Sequence, residues 1–485
     1  MGSLIKNELI KIFRKKSTYI VLIILALFVV LTNFIYKYMM SMINQGNYNT
    51  SDQYIEYARE QLNNINPESD RENYIQLKTD VDFYELMKQF DENSWQIYII
   101  NRDFQGYLFN INVYKYGTDA DKEGITENPQ EVYNRELNKL KNGDWKQYVQ
   151  EEIVQIEEEL SATKDQKQMV KNEKIAKELD NTIAMLETKL ELTKMRIEKD
   201  IPYGQNFMND AIEARIRSAG IDYNYNDKSL SYQEKRAKQE ALEEYETSKY
   251  IIENRQDVKN YSSVRGVLLN MFDEYSIFLV IFVVMIAGGM VSSEMEKGTI
   301  KMLLVKPYKR WKILLAKYIV SLMMILFIFV VTMLMQILIG GIIFGFDSLS
   351  IPAVVYNFNT NSLETYNLFK YLGILALSKL PIYILLGTLA FAVSCIFGNT
   401  VLAIVLPIIG NIGGAIVSSL LTMHPIKQLA IFPTLNWDFS QFLFGKLPQY
   451  EFTNLGFATG VCICYWVIMV VAGWFAFNKK EIKNV

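Results

Sequence analysis

From Leu380 to Met423 no residue carries a charge. A helix rises ~1.5 Å per residue and a bilayer's hydrocarbon core is ~30 Å thick, so this run holds two crossings rather than one. Gly398-Asn399-Thr400 supplies the tight turn between them. The neighbouring sequence is of the same kind. Thr18–Tyr36, Tyr275–Ser292, Tyr318–Phe346 and Leu455–Phe477 are all uncharged, and Leu372–Phe397 is broken only by Lys379. With Val401–Leu421 as the fifth, these stretches make six spans. The expected fold is an all-α membrane protein: six transmembrane helices plus a helical, coiled-coil-containing extracellular domain.

Charge divides the rest of the chain. Residues 43–270 carry 43 Asp and Glu against 30 Lys and Arg, whereas the remainder carries 10 against 20. An acidic polar block is thus inserted into a basic membrane protein, a balance that disfavours nucleic-acid binding. Four parts are expected: an interfacial helix (1–17), the first transmembrane helix (18–42), a polar helical domain (43–273) and a five-helix bundle (274–485). In the first part Leu4, Ile5, Leu9, Ile12 and Phe13 share one helical face, and the cations lie mainly on the other. No small-residue cleavage site follows the first apolar run, so it reads as an uncleaved anchor. Its basic flank places the N-terminus in the cytoplasm, and six crossings bring the C-terminus back to that side.

Within the polar block, Asp52–Asn64 and Asp70–Gln89 read as helices. From Trp145 to Lys199 the apolar residues Ile175, Leu179, Ile183, Leu186, Leu190 and Ile197 recur at helical steps, the seam of a coiled coil or long hairpin. Ser231 with Glu234 opens a return helix to Arg255. The aromatic section between (Trp95, Tyr98, Phe104, Tyr107, Phe109, Tyr114, Tyr116) serves either as a contact surface or as the core a small domain needs. The block as a whole is a solvated spacer or a stalk that handles substrate or partner.

The cytoplasmic stretch 293–317 lies between the second and third spans. Ser293 and Glu296 have the spacing of a capping box at a helix start. Pro307 forces a stop, amid Lys306, Lys309, Arg310 and Lys312. The order Glu294, Gly298-Thr299-Ile300, Leu303-Leu304, Pro307, Arg310, Ile313-Leu314, Lys317 resembles the loop after the second span in type 2 ABC transporter permeases, the ABCG-like exporter class. The resemblance implies a coupling helix docked on a separate ATPase subunit, with Glu294, Glu296, Gly298, Thr299, Pro307 and Arg310 as its coupling residues. It further implies two permease copies, identical or paralogous, in the plasma membrane of a bacterium, exporting a peptide-like or lipid-like substrate. ATP and Mg would be bound by the partner ATPase and no cofactor by this chain. The competing class is a non-transporting scaffold of the phage-infection-protein or type VII secretion accessory kind, which shares an early span, a long ectodomain and later spans.

Chemistry-bearing motifs are few. The pair Gly445-Lys446 is followed by Leu, so it opens no phosphate loop. The one histidine, His424, has no nucleophile or ligand pattern around it, and Cys395, Cys462 and Cys464 sit within spans; neither a catalytic nor a metal site is expected. Three polar residues inside spans are pathway candidates: Asn411, Gln336 and Lys379. The two amides either line a path or hydrogen-bond between helices. Lys379 either faces a polar path or snorkels outward from a span beginning near Ser378, with Pro381 in the first turn; the second is expected. Residues 422–454, rich in Pro, Trp and Phe, form either an aromatic belt or, by the resemblance, short helices dipping into the outer leaflet.

Overall fold

A computed structural model describes residues 1–260, 262–300 and 308–479. The protein is an all-α membrane protein with six helices long and apolar enough to cross a bilayer. It divides into two compact units, residues 1–37, 231–236 and 258–485 in one and residues 38–230 and 237–257 in the other.

The first unit opens with α1 (Gly2–Arg14), whose Leu4, Glu8 and Ile12 are buried. Helix α2 (Lys16–Asn64) contains the first span, Thr18–Met39. In the second unit, α3 (Arg71–Met87), α4 (Trp95–Ile99), a π-helical turn (Ile100–Phe104) and α5 (Gln105–Tyr116) lead to α6 (Pro129–Asn142). Its core joins Phe83, Leu86, Ile99, Ile100, Phe104, Leu140 and Val149. Most of the aromatic section is spent here: Phe104 is fully buried and Tyr98 stacks on Tyr203 at 4.6 Å, while Phe109 and Tyr114 stay exposed. Those contacts favour the core reading of that section.

The expected hairpin is α7 (Trp145–Met169) against α8 (Glu173–Glu198). Asn172 caps α8 by accepting from the N–H groups of Lys174 and Ile175 at 2.9 and 3.3 Å. Leu186 is buried in the seam, whereas Ile175 near the hairpin tip is exposed. After α9 (Phe207–Ser218) comes α10 (Tyr232–Asn254). Its capping box forms as expected: the Ser231 N–H donates to the Glu234 carboxylate at 2.7 Å, and the Glu234 N–H to the Ser231 hydroxyl at 3.3 Å.

Helix α11 (Val264–Glu274) falls in the polar stretch expected to end at residue 273, yet the compact division comes at 258. Its Val264, Val267, Leu268, Met271 and Phe272 are buried among the spans, which explains the shift. The later spans are α12 (Ser276–Glu296), α13 (Arg310–Phe344), α14 (Leu368–Phe397), α15 (Thr400–Met423) and α16 (Leu455–Lys479). Two features of this region departed from expectation. The loop before α14 holds a small antiparallel hairpin, β1 (Ala353–Asn357) with β2 (Ser362–Tyr366), pairing Ala353 with Tyr366. Helix α14 also begins at Leu368, so Pro381 lies inside it rather than in its first turn.

Candidate functional site

Helix α14 buries Lys379, and the chain must neutralise its ammonium there. Lys379 is 5% exposed and does not snorkel. It forms an ion pair with Asp273 at the end of α11 and a second, at 2.8 Å, with Asp438. The other Asp438 oxygen accepts from the Ser440 N–H and hydroxyl at 3.0 and 2.6 Å, which caps the short 3₁₀ segment Phe439–Gly445. A buried cation with two carboxylates leaves a net negative cluster. The corrected placement follows from the extra N-terminal turns of α14, which bury Lys379 where two acids can reach it.

Asp438 also lines a cavity of about 420 Å³ in the same unit. Hydroxyls and amides dominate its wall: Asn411, Ser418, Ser419, Thr422, Thr434 and Gln441. Gly414 makes room for this wall, because a Cβ there would meet Thr434 Cγ2 at 2.4 Å. Thr434 in turn donates to the Gly414 carbonyl at 3.0 Å. Asn411 stands midway along α15, and its side chain makes no hydrogen bond among the described residues. An amide at that depth in hydrocarbon is costly unless water or a ligand meets it, and the cavity admits either.

Gln336 has a different setting. It is fully buried and exchanges two hydrogen bonds with Asn33 of α2, at 3.0 and 2.9 Å. The Tyr275 hydroxyl donates to it at 3.1 Å, and Thr32 donates to Tyr275 at 3.0 Å. This is an interhelical network.

The stretch expected to couple lies at the opposite ends of the spans. Ser293 and Glu296 do not open a helix; they sit in the last turn of α12, and the Ser293 hydroxyl donates back to the Gly289 carbonyl at 2.5 Å. The helix runs on because nothing before Gly298 stops it. Gly298 does so at φ 66°, where any side chain is strained. Glu296 reaches across instead and caps α15, accepting from the Thr400 N–H at 2.7 Å and its hydroxyl at 2.8 Å. Glu294 turns inward. Its carboxylate meets Lys317 of α13 at 2.9 Å and Lys11 of α1 at 3.2 Å. Glu8 of α1 completes the ring, 2.7 Å from Lys317 and 2.8 Å from Lys11. Lys317 is 1% exposed. Burial opposes ionisation of Glu8, but Lys317 and Lys11 outweigh it and hold that carboxyl below the usual glutamate range. Thr299 donates to the Glu294 carbonyl at 3.4 Å, and Arg310 is exposed at the start of α13. Pro307, with Leu303 and Leu304, lies outside the described residues.

A sequence family described as "Protein of unknown function (DUF2705)" matches residues 235–483. The chain belongs to this DUF2705 family. The match begins within α10 and takes in the second to sixth spans. Two relatives from Bacillus subtilis (strain 168) are similar to the DUF2705 chain. "Uncharacterized membrane protein YdbK" is 24% identical over 208 residues, covering 43% of this chain and 79% of the relative. "Uncharacterized protein YhcI" is 25% identical over 211 residues, covering 43% of this chain and 66% of the relative. No solved structure matches. The DUF2705 chain is a multi-pass membrane protein.

Sequence reasoning singled out Lys379, Glu294 and Gln336 but missed their partners Asp273, Asp438, Glu8, Lys317 and Asn33. One signal was available. Asn33, Lys317 and Asp438 are each an isolated amide or charge at the edge of, or within, an apolar run, and such a residue needs a counterpart somewhere.

Proposed function

We propose that this DUF2705 chain is the membrane-spanning permease subunit of an ATP-driven exporter in the bacterial cytoplasmic membrane. Both chain ends and residues 293–317 face the cytoplasm, and the large polar unit lies outside the cell. The chain itself catalyses nothing. ATP and Mg sit on a separate ABC ATPase subunit, and a second permease copy, identical or paralogous, completes the assembly. The substrate is peptide-like or lipid-like.

One observation carries the reading beyond the resemblance. The end of α12 is tied to three other helices at once: Glu294 to α1 and α13, and Glu296 to the first N–H of α15. A push on residues 297–309 by a partner is thereby transmitted to α13 and α15. The Asn411-lined cavity flanks α15 and would be reshaped by that movement.

The test is affinity capture of the tagged full chain from its native bacterium in mild detergent, with ATPase activity measured on the eluate. An ABC ATPase that co-purifies, and is lost in a Gly298→Val, Arg310→Glu double variant that still inserts, supports the proposal. Capture of intact chain with no nucleotidase partner favours a non-transporting membrane scaffold instead.

A further inference from the structure

A second cavity, of about 120 Å³, opens between α13, α14 and α16 on the same side of the span bundle as α1. Its wall is hydrocarbon and aromatic ring: Trp311, Leu314, Leu315, Phe391, Val470 and Trp474. The hydroxyls in its wall are already satisfied. The hydroxyls of Tyr318 and Thr388 bond each other at 2.8 Å, Thr388 donates to the Ile384 carbonyl at 2.6 Å, and Trp466 Nε1 donates to Tyr318 at 2.6 Å. A polar ligand therefore gains nothing inside, whereas an alkyl chain gains contact on all walls.

The rim has the opposite character. Lys312 Nζ lies 5.6 Å from the Trp311 ring, and Trp311 forms one lip. Lys479 Nζ lies 4.5 Å from the Phe475 ring, which packs edge-on against Trp474 at the other lip, 5.7 Å between centroids. Neither lysine forms an ion pair among the described residues. Trp311 and Trp474 are 42% and 45% exposed, the amphipathic rings that settle at a headgroup boundary. An alkyl wall, two tryptophans and, beside the Trp311 and Phe475 rings, two ammonium groups with no ion pair among the described residues match the parts of an anionic phospholipid.

We propose that this crevice is a binding site for an anionic phospholipid of the adjoining leaflet, one acyl chain seated against Leu315, Phe391 and Trp474 and the phosphate held by Lys312 and Lys479. The proposal does not depend on the transport reading, since a crevice between α13, α14 and α16 takes a lipid whether or not an ATPase docks on the loop before α13.

The full chain is reconstituted in phosphatidylcholine vesicles doped either with brominated phosphatidylglycerol or with the same fraction of brominated phosphatidylcholine, and tryptophan quenching is compared. Native mass spectrometry of the chain released from equal mixtures of the two lipids reads retention directly. The expected result is stronger quenching and preferential retention of phosphatidylglycerol, each rim cation contributing about fivefold. Lys312→Gln with Lys479→Gln should abolish the headgroup preference yet keep the quenching by either lipid. Leu315→Trp should fill the crevice and lower retention of both. Equal quenching and retention of the two lipids by the unaltered chain overturns the proposal without recourse to any variant. So does a headgroup preference that survives the double lysine change.

Discussion

The ammonium of Lys379 lies 2.8 Å from the carboxylate of Asp438, 59 residues further along the chain. The two partners of Lys379 differ in their surroundings: the Asp438 side chain is 31% exposed and that of Asp273 is 69% exposed. Water already screens Asp273, so the closer balance of desolvation and attraction is with Asp438. Asp438→Asn should lower stability by about 1–3 kcal/mol, since it also removes the cap on Phe439–Gly445. Asp273→Asn should cost less than about 1 kcal/mol. Thermal unfolding in detergent checks the order, and equal losses would contradict it. A cysteine scan is independent: Lys379→Cys should resist a membrane-impermeant thiol reagent while Asp273→Cys labels.

The ring of Glu8, Lys11, Glu294 and Lys317 predicts both a magnitude and a pH dependence. Lys317→Met leaves two buried carboxylates with only half-exposed Lys11 between them. The loss should be about 2–3 kcal/mol, under the ~3–5 typical of breaking a fully buried pair, because Lys11 remains. Glu8 titrates below its unfolded value, so its contribution is fully present above the usual glutamate range. It is lost as pH falls through the lowered folded value. The hydrogen-exchange protection factors of Gly2–Arg14, taken against the intrinsic rate at each pH, should therefore fall on acidification below about pH 4, the range set by glutamate's ordinary value of ~4.3. Glu8→Gln should show low protection at every pH. An acid response that persists in that variant would assign it to another group.

Asn33 and Gln336 should be strongly coupled. Either Asn33→Leu or Gln336→Leu alone leaves a buried amide without its partner, at about 1–2 kcal/mol. The double change removes both amides and should cost less than the sum, by at least about 0.5 kcal/mol. Additive losses would mean the pair is spent on something other than each other.

The polar unit has its own core around Phe104, Val149 and Leu140. Replacing Asp52–Asp257 by a flexible linker should leave six spans inserted, because lengthening or shortening a surface connection costs little. Cysteine-accessibility mapping of the loops checks insertion. Under the transport proposal, assembly survives the excision and export falls; retained export would make the unit a spacer.

How much of this was legible beforehand differed by range of interaction. The spans were readable because hydropathy is local: Tyr275–Ser292 became Ser276–Glu296, and Leu455–Phe477 became Leu455–Lys479. The Ser231 and Glu234 cap was readable for the same reason. The β-hairpin was not, although Val354, Val355 and Tyr356 are good strand formers before an Asn-Thr-Asn turn; Pro352 and the polar flanks outweighed them. Ser293 and Glu296 had the right spacing for a cap but the wrong position, because the glycine that ends the helix comes after them. Glu294 was expected to face a partner and turned inward, since Lys11 and Lys317 come from helices on either side of it in the chain. Spacing shows which residues need a partner, and only packing shows which partner they find.

The reciprocal amides of Asn33 and Gln336 act as a registration pin. Between two apolar helices in lipid, sliding by one turn exchanges one set of methyl contacts for another at small cost. Here the slide would strand two amides in hydrocarbon, and only one axial alignment of α2 and α13 avoids that. The first span is thus indexed to the third, so any axial shift of one must carry the other with it.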